Sequence, residues 1–188
     1  MWNARILAVT GIILAAASMR LLPHPPNFVP IAAICLFGGA MLSQRYLAFA
    51  IPLAAMIISD VAMALLYYGL DGLWTRPFVY GSFALIVLLG RFVRRNMTPL
   101  RIGGSALTGS VIFFVITNFG VWLRGTLYPL TWDGLAACYV AAIPFYRNAV
   151  AADLLYSAAF FGAFALAQRY LPALREQRGG QREGMVNG

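Results

Sequence analysis

The chain has 188 residues, of which 61% are hydrophobic and only 11% are charged. This composition excludes an ordinary soluble domain and is typical of an integral membrane protein. All 14 basic residues are arginine and the formal net charge is +8, but the arginines lie between apolar runs. Membrane topology therefore explains them better than nucleic-acid binding does.

Apolar runs predict the helices in chain order, and the first run continues into a proline-rich segment without a signal-peptide cleavage site. The runs cover residues 6–22, 29–42, 46–70, 78–93, 104–123 and 149–168. We therefore expect an all-α integral membrane protein, a six-transmembrane-helix bundle with re-entrant or interfacial outer loops. Residues 1–170 would form this single domain, and the polar, glycine-rich residues 171–188 a disordered cytoplasmic tail.

Three of the apolar runs are short for a membrane span. Runs 29–42 and 78–93 approach the length of re-entrant segments, so the sequence leaves open whether they cross the membrane fully. A further run at 134–145 ends at Pro144. Since proline ends or kinks helices, we expect this run to be a separate interfacial or re-entrant segment before the last span.

Arginine placement predicts the orientation. With six spans and a cytoplasmic N-terminus, ten arginines fall in inside segments and four in outside segments. Positively charged residues concentrate in cytoplasmic segments. We therefore expect a multi-pass protein of the bacterial cytoplasmic (inner) membrane with both termini in the cytoplasm.

The segments assigned to the outside are rich in aromatic and polar residues. They contain His24, Asn27, Phe28, Trp74, Tyr80, Tyr128, Trp132 and Asp133. Such residues form interfacial belts in many membrane proteins, but belts occur at both interfaces. Because the inside segments contain few aromatics, we favour a ligand site that opens outward.

Polar residues within the spans support such a site. Asp60, Asn118 and Asp153 would each cost several kcal/mol in lipid, roughly 2.5–3.5 kcal/mol for a central carboxylate, and therefore face a cavity or another helix. Interhelical hydrogen bonding is the alternative role. An ionised aspartate also needs a partner, for which Arg147 and Arg124 are candidates.

Helical spacing pairs two of these polar groups with aromatic residues. Asp60 shares a face with Tyr67, and Asn118 shares one with Trp122. Apolar walls with a few placed polar groups are typical of small-molecule sites.

The segment "PHPPNF" predicts a rigid cap over this site. Its three prolines fix the backbone and stop the first helix. We expect His24 and Asn27 to point toward the ligand and Phe28 to pack against aromatic residues such as Trp74 or Trp122. The alternative is a rigid connector with His24 in water.

Catalytic motifs do not favour an enzyme. The chain has a single histidine, no G-x-S-x-G turn and no paired glutamates in the spans. Cys35 and Cys138 lie far apart in apolar sequence and indicate neither a disulfide nor a zinc site. We expect no cofactor and no resident metal.

Small residues recur along the first helix, where Ala4 and Ala8 are followed at similar spacing by Gly11 and Ala15. With the six-helix architecture and the aromatic mouth, residues 4–170 resemble the S components of energy-coupling-factor vitamin transporters. The resemblance implies uptake of a small ring-bearing micronutrient. It also implies that Ala4 and Ala8 dock on a coupling membrane subunit that works with ATPases.

The ligand itself stays open. Solitary S-component-like proteins include cobalamin importers, and for cobalamin His24 or Cys35 is a candidate axial ligand of the cobalt. A small buried hydrophobe is the alternative role of Cys35. Thiamin, biotin and riboflavin fit an aromatic mouth equally well.

A non-transporting scaffold, similar to the rod-shape-determining membrane proteins, is the rival function. In such a scaffold, the polar groups within the spans would form hydrogen bonds between helices, and there would be no large cavity.

Overall fold

The computed structural model describes residues 3–68 and 73–175. Within these residues the chain forms six α-helices: α1 (Ala4–Ser18), α2 (Ile31–Met41), α3 (Arg45–Met63), α4 (Arg76–Val93), α5 (Pro99–Leu123) and α6 (Trp132–Tyr170). Polar side chains start three of them, since Asn3, Thr98 and Thr131 accept a hydrogen bond from the first turn that follows. The all-helical fold is therefore as the sequence predicts.

Five of these helices are long and apolar enough to cross a membrane, and α2 is the exception. Its 11 residues extend about 16 Å, roughly half of the ~30 Å hydrocarbon core. All its residues from Ala32 to Met41 are buried, and α2 packs against each of the other five helices. The structure thus supports five full-length spans around a short central helix.

Charged side chains from other helices bind both ends of α2. At its start, the Asp153 carboxylate of α6 accepts hydrogen bonds from the backbone N–H groups of Ala32 and Ala33, at 3.0 and 3.2 Å. A buried helix end must satisfy its free backbone groups on partners of this kind. Asp153 also places a carboxylate at the positive end of the helix dipole.

At the other end of α2, three arginines donate to backbone carbonyls. Arg5 Nε binds the carbonyl of Met41 at 3.1 Å, Arg94 that of Ala40 at 3.0 Å, and Arg91 that of Leu42 at 2.7 Å. Cations stabilise the negative end of a helix dipole. These bonds satisfy carbonyl groups at the end of the short helix and hold it inside the bundle.

Two glycines allow α2 and α4 to touch along their backbones. A Cβ atom built on Gly39 would collide with the carbonyl oxygen of Val87, and one built on Gly90 with that of Leu36. Close approach of this kind requires glycine on both helices. This contact determines how closely α2 packs against α4.

The last helix corrects the prediction for residues 134–145. Those residues belong to α6, which continues through Pro144 for 39 residues. The prediction of a separate segment is wrong because one proline removes only one helical hydrogen bond, and breaking the helix would expose several more backbone groups. At about 58 Å, α6 is longer than the ~30 Å hydrocarbon core.

Both ends of the described chain meet at one end of the bundle, where Arg5 Nη1 donates to the carbonyl of Leu174 at 3.1 Å. We call this end the terminal face and the opposite end the loop face. The loop face carries the connecting segments 19–30, 73–75 and 124–131. The core lies between the two faces around α2, where Phe37 packs against three phenylalanines of α6.

Candidate functional site

A cavity of about 350 Å³ lies between the connecting segment 19–30 and helices α3 to α6. Its walls are mostly apolar and include five aromatic residues from three helices: Phe83, Phe113, Phe114, Phe145 and Tyr146. Its charged groups lie at two ends, one near the loop face and one deeper in the bundle.

An ion cluster forms the end of the cavity near the loop face. Arg20 Nη2 donates to Asp60 Oδ1 at 2.7 Å, Arg76 pairs with Oδ2, and the Tyr80 hydroxyl donates to Oδ2 at 2.9 Å. Arg20 also donates to the Ser59 hydroxyl at 2.6 Å. Asp60 is buried and accepts bonds on both oxygens, as a carboxylate within a membrane must.

Asp153 forms the deep end. Besides the two N–H groups of α2, it accepts a hydrogen bond from Ser110 of α5 at 2.7 Å. Asp153 therefore joins α2, α5 and α6 at the point where the cavity ends. The prediction that Arg147 or Arg124 pairs with these aspartates is wrong. Asp60 pairs with Arg20 and Arg76, and Asp153 accepts hydrogen bonds from neutral donors.

Asn118 lies between the two ends. Its side-chain N–H group donates to the carbonyl of Phe114 at 2.8 Å, one turn earlier in α5. The bond uses the amide nitrogen and leaves the side-chain oxygen as an acceptor within the cavity lining.

The "PHPPNF" segment lies over the cavity, but of the two residues expected to face the ligand, only Asn27 lines it. Asn27 lines the cavity and has a positive φ of 58°, a conformation that asparagine tolerates better than most residues. Asn148 of α6 holds the segment by donating to the carbonyl of Pro26 at 3.0 Å. The Phe28 ring lies 6.2 Å from that of Tyr156, so Phe28 packs against an aromatic residue, but a different one from the Trp74 and Trp122 suggested by the sequence.

His24 does not line this cavity. It is exposed, it shares a shallower hollow of about 310 Å³ with Tyr67, and its Nδ1 atom lies 2.9 Å from the carbonyl oxygen of Pro25. The position of His24 agrees with the alternative of a connector residue near water.

Several other residues proposed from sequence lie apart from the cavity. Trp74, Trp132 and Tyr67 have exposed fractions of 59%, 84% and 61%, which is more typical of an interfacial belt than of a pocket wall. Trp122 donates to the carbonyl of Pro129 at 3.0 Å, and Arg147 is exposed. None of these five is among the cavity-lining residues in the described part of the chain.

The site contains two arginines that sequence reasoning did not select. Arg20 and Arg76 each lie beside a predicted span, where the positive-inside rule treats arginines only as topology markers. Asp60 and Tyr80, which were selected, flank the same α3–α4 connection. Arg76 lies close to Tyr80 at the end of that connection, and this proximity was the signal in the sequence that could have identified it.

Five helices of this length and composition, packed around a buried sixth, indicate a multi-pass membrane protein. The chain belongs to DUF6580, described as a family of unknown function, whose model matches residues 1–174. No curated protein and no solved structure matches the chain.

Proposed function

We propose that the protein binds a small ring-bearing micronutrient in the cavity and takes it up across the bacterial cytoplasmic membrane. The cavity is the observation that carries this proposal. It combines aromatic walls with polar groups at both ends, as small-molecule sites do. A scaffold protein has no need of such a space.

The cavity volume supports a ligand with one or two rings. Its 350 Å³ is near the lower limit of the ~300–1,000 Å³ typical of ligand pockets. Cobalamin, with a macrocycle and a nucleotide loop, is far larger. Neither proposed cobalt ligand supports it, because His24 lies at the separate hollow and Cys35 is fully buried within α2. We therefore propose smaller vitamins or related ring compounds.

Docking of a coupling subunit on α1 is part of the proposal. Ala4, Gly11 and Ala15 are exposed and Ala8 is half-buried, so small side chains follow one another along an outer face of α1. Another helix can approach closely there. Replacing both Ala4 and Ala8 by leucine should reduce uptake and leave ligand binding intact, whereas unchanged uptake would contradict docking at this face.

Native mass spectrometry tests the binding function. The purified protein should carry a small molecule, and Ala149→Trp should lose it because Ala149 lines the cavity. Ala151→Trp is the matched control, since Ala151 is exposed on the same helix. If the wild-type protein and this control carry no molecule, or if Ala149→Trp retains it, the cavity is not a binding site.

A further inference from the structure

The ion cluster at the loop end of the cavity contains more positive than negative charge. Among the described residues, two guanidinium groups, those of Arg20 and Arg76, face the single carboxylate of Asp60. The remaining member, Tyr80, contributes a hydroxyl donor. The cluster therefore has an excess of one positive charge when Asp60 is ionised.

The donors of the cluster outnumber its acceptors in the same way. Asp60 already receives bonds on both oxygens. Each guanidinium has five N–H groups, of which Arg20 uses one for Ser59 and one for Asp60. Both arginines line the cavity, and their side chains are 15% and 26% exposed. Their other N–H groups are thus available to a ligand in the cavity.

The deep end does not supply the missing negative charge to these arginines. Asp153 accepts bonds from Ser110 and from two backbone N–H groups of α2, so neutral donors already solvate it. It belongs to a different set of helices from the cluster. An anion bound at the cluster would balance the charge locally, where an unbalanced charge in a membrane protein is costly.

From this arrangement we infer that the ligand is a planar ring compound with one carboxylate group, and that the carboxylate binds Arg20 and Arg76. The inference rests on the proposed binding function and specifies its substrate class. A planar guanidinium matches a carboxylate by two parallel hydrogen bonds. One excess charge favours a monocarboxylate over a doubly charged phosphate ester. The ring would pack against the aromatic part of the cavity lining, which includes Phe113, Phe114 and Tyr146.

Matched probes of different charge test the inference. Benzoate, benzamide and benzamidine have the same ring with charges of −1, 0 and +1, and 2-naphthoate with its amide and amidine forms the two-ring series. Titration calorimetry on the full-length purified protein should give at least about tenfold tighter binding for the acid than for either relative, since bonds to charged groups are the stronger ones. Arg76→Gln should weaken acid binding about ten- to hundredfold and change amide binding little.

Two further variants complete the test: one is a control, and the other examines the role of Asp60. Arg147→Gln removes an exposed arginine outside the cavity and should leave every affinity unchanged. Asp60→Asn should strengthen acid binding, because it removes the competing carboxylate. A merely structural ion cluster would instead make Asp60→Asn weaken all probes alike.

The possible results separate the inference from the proposed function. If an amide or amidine binds as tightly as its acid, the inference is wrong and the binding function stands. If no probe of either series binds, the inference is wrong, and the loss or retention of the co-purifying molecule in Ala149→Trp decides the binding function. The comparison within the wild-type protein does not depend on any variant, so a variant that fails to fold leaves the test intact.

Discussion

Asp153 is the residue on which three helices depend. It accepts hydrogen bonds from α2 and α5 while it is itself part of α6, and it is 3% exposed. Removing an acceptor from buried donors costs more than the net value of the bonds, because the donors are left without partners. Asp153 therefore stabilises the fold as well as ending the cavity.

Asp153→Ala should lower the free energy of unfolding in detergent by several kcal/mol, at roughly 1–3 kcal/mol for each buried donor left unpaired. Asp153→Asn should cost less, since its side-chain carbonyl still accepts from α2. Asp133→Ala is the control because Asp133 is exposed in the first turn of α6. Equal losses for Asp153→Ala and the control would show that Asp153 has no structural role.

Asn27 and His24 provide a second comparison at this scale. Asn27→Gly keeps the positive φ accessible and removes the amide from the cavity, so retention of the bound molecule should fall. His24→Ala should leave retention unchanged, since His24 lies at a different hollow. Native mass spectrometry measures both, and a loss in His24→Ala alone would reverse this assignment.

Sequence reasoning identified three polar residues of the cavity lining but not their partners. Asp60, Asn118 and Asp153 stand out because polar groups within spans are costly, and all three line the cavity. The pairing of Asp60 with Arg20 and Arg76 depends on how α1, α3 and α4 pack, which no local pattern specifies. Similarly, the backbone donors that bind Asp153 exist only because α2 begins inside the bundle.

At the scale of elements, α2 and α4 are in direct backbone contact. Gly39 and Gly90 bring the two backbones together, and a methyl group at either position would collide with a backbone carbonyl. Backbone cannot move aside as a flexible side chain can. The helices would have to separate.

Gly39→Ala and Gly90→Ala should each reduce stability by about 1–3 kcal/mol, the usual cost of overpacking. Gly104→Ala is a matched control, since a Cβ atom there meets nothing within 4 Å and alanine favours helix. Thermal unfolding in detergent measures all three. A control variant as unstable as the other two would disprove the steric explanation.

The sequence predicted the positions of the helices along the chain better than it predicted whether protein or lipid surrounds each helix. The run 29–42 contains α2, but composition does not distinguish a helix surrounded by protein from one surrounded by lipid, because both environments are apolar. The continuity of α6 through Pro144 was likewise not readable, since proline signals an end in water more reliably than in a membrane.

For the whole molecule, the bond between Arg5 and Leu174 places both ends of the described residues at the terminal face. The loop 94–98 lies at this face too, whereas 124–131 lies at the loop face. The ten-to-four arginine distribution predicts that the terminal face is cytoplasmic.

A cysteine at position 96 should be inaccessible to a membrane-impermeant thiol reagent in intact cells, and a cysteine at position 127 should be labelled. Leu127 is 75% exposed in the opposite loop. The native Cys35 and Cys138 are buried and should give little background. Labelling of position 96 but not of position 127 would invert the orientation.

The short length of α2 has a consequence for biogenesis. Eleven residues are too few for the insertion machinery to recognise as a membrane span, which takes about 20 residues. Of the partners of its two ends, Arg91, Arg94 and Asp153 are synthesised after it, and Arg5 is the one that precedes it among those described. We therefore expect α2 to enter the membrane only after α6 is made. Substitutions in α2 would then reduce the amount of protein that survives quality control before they alter any activity.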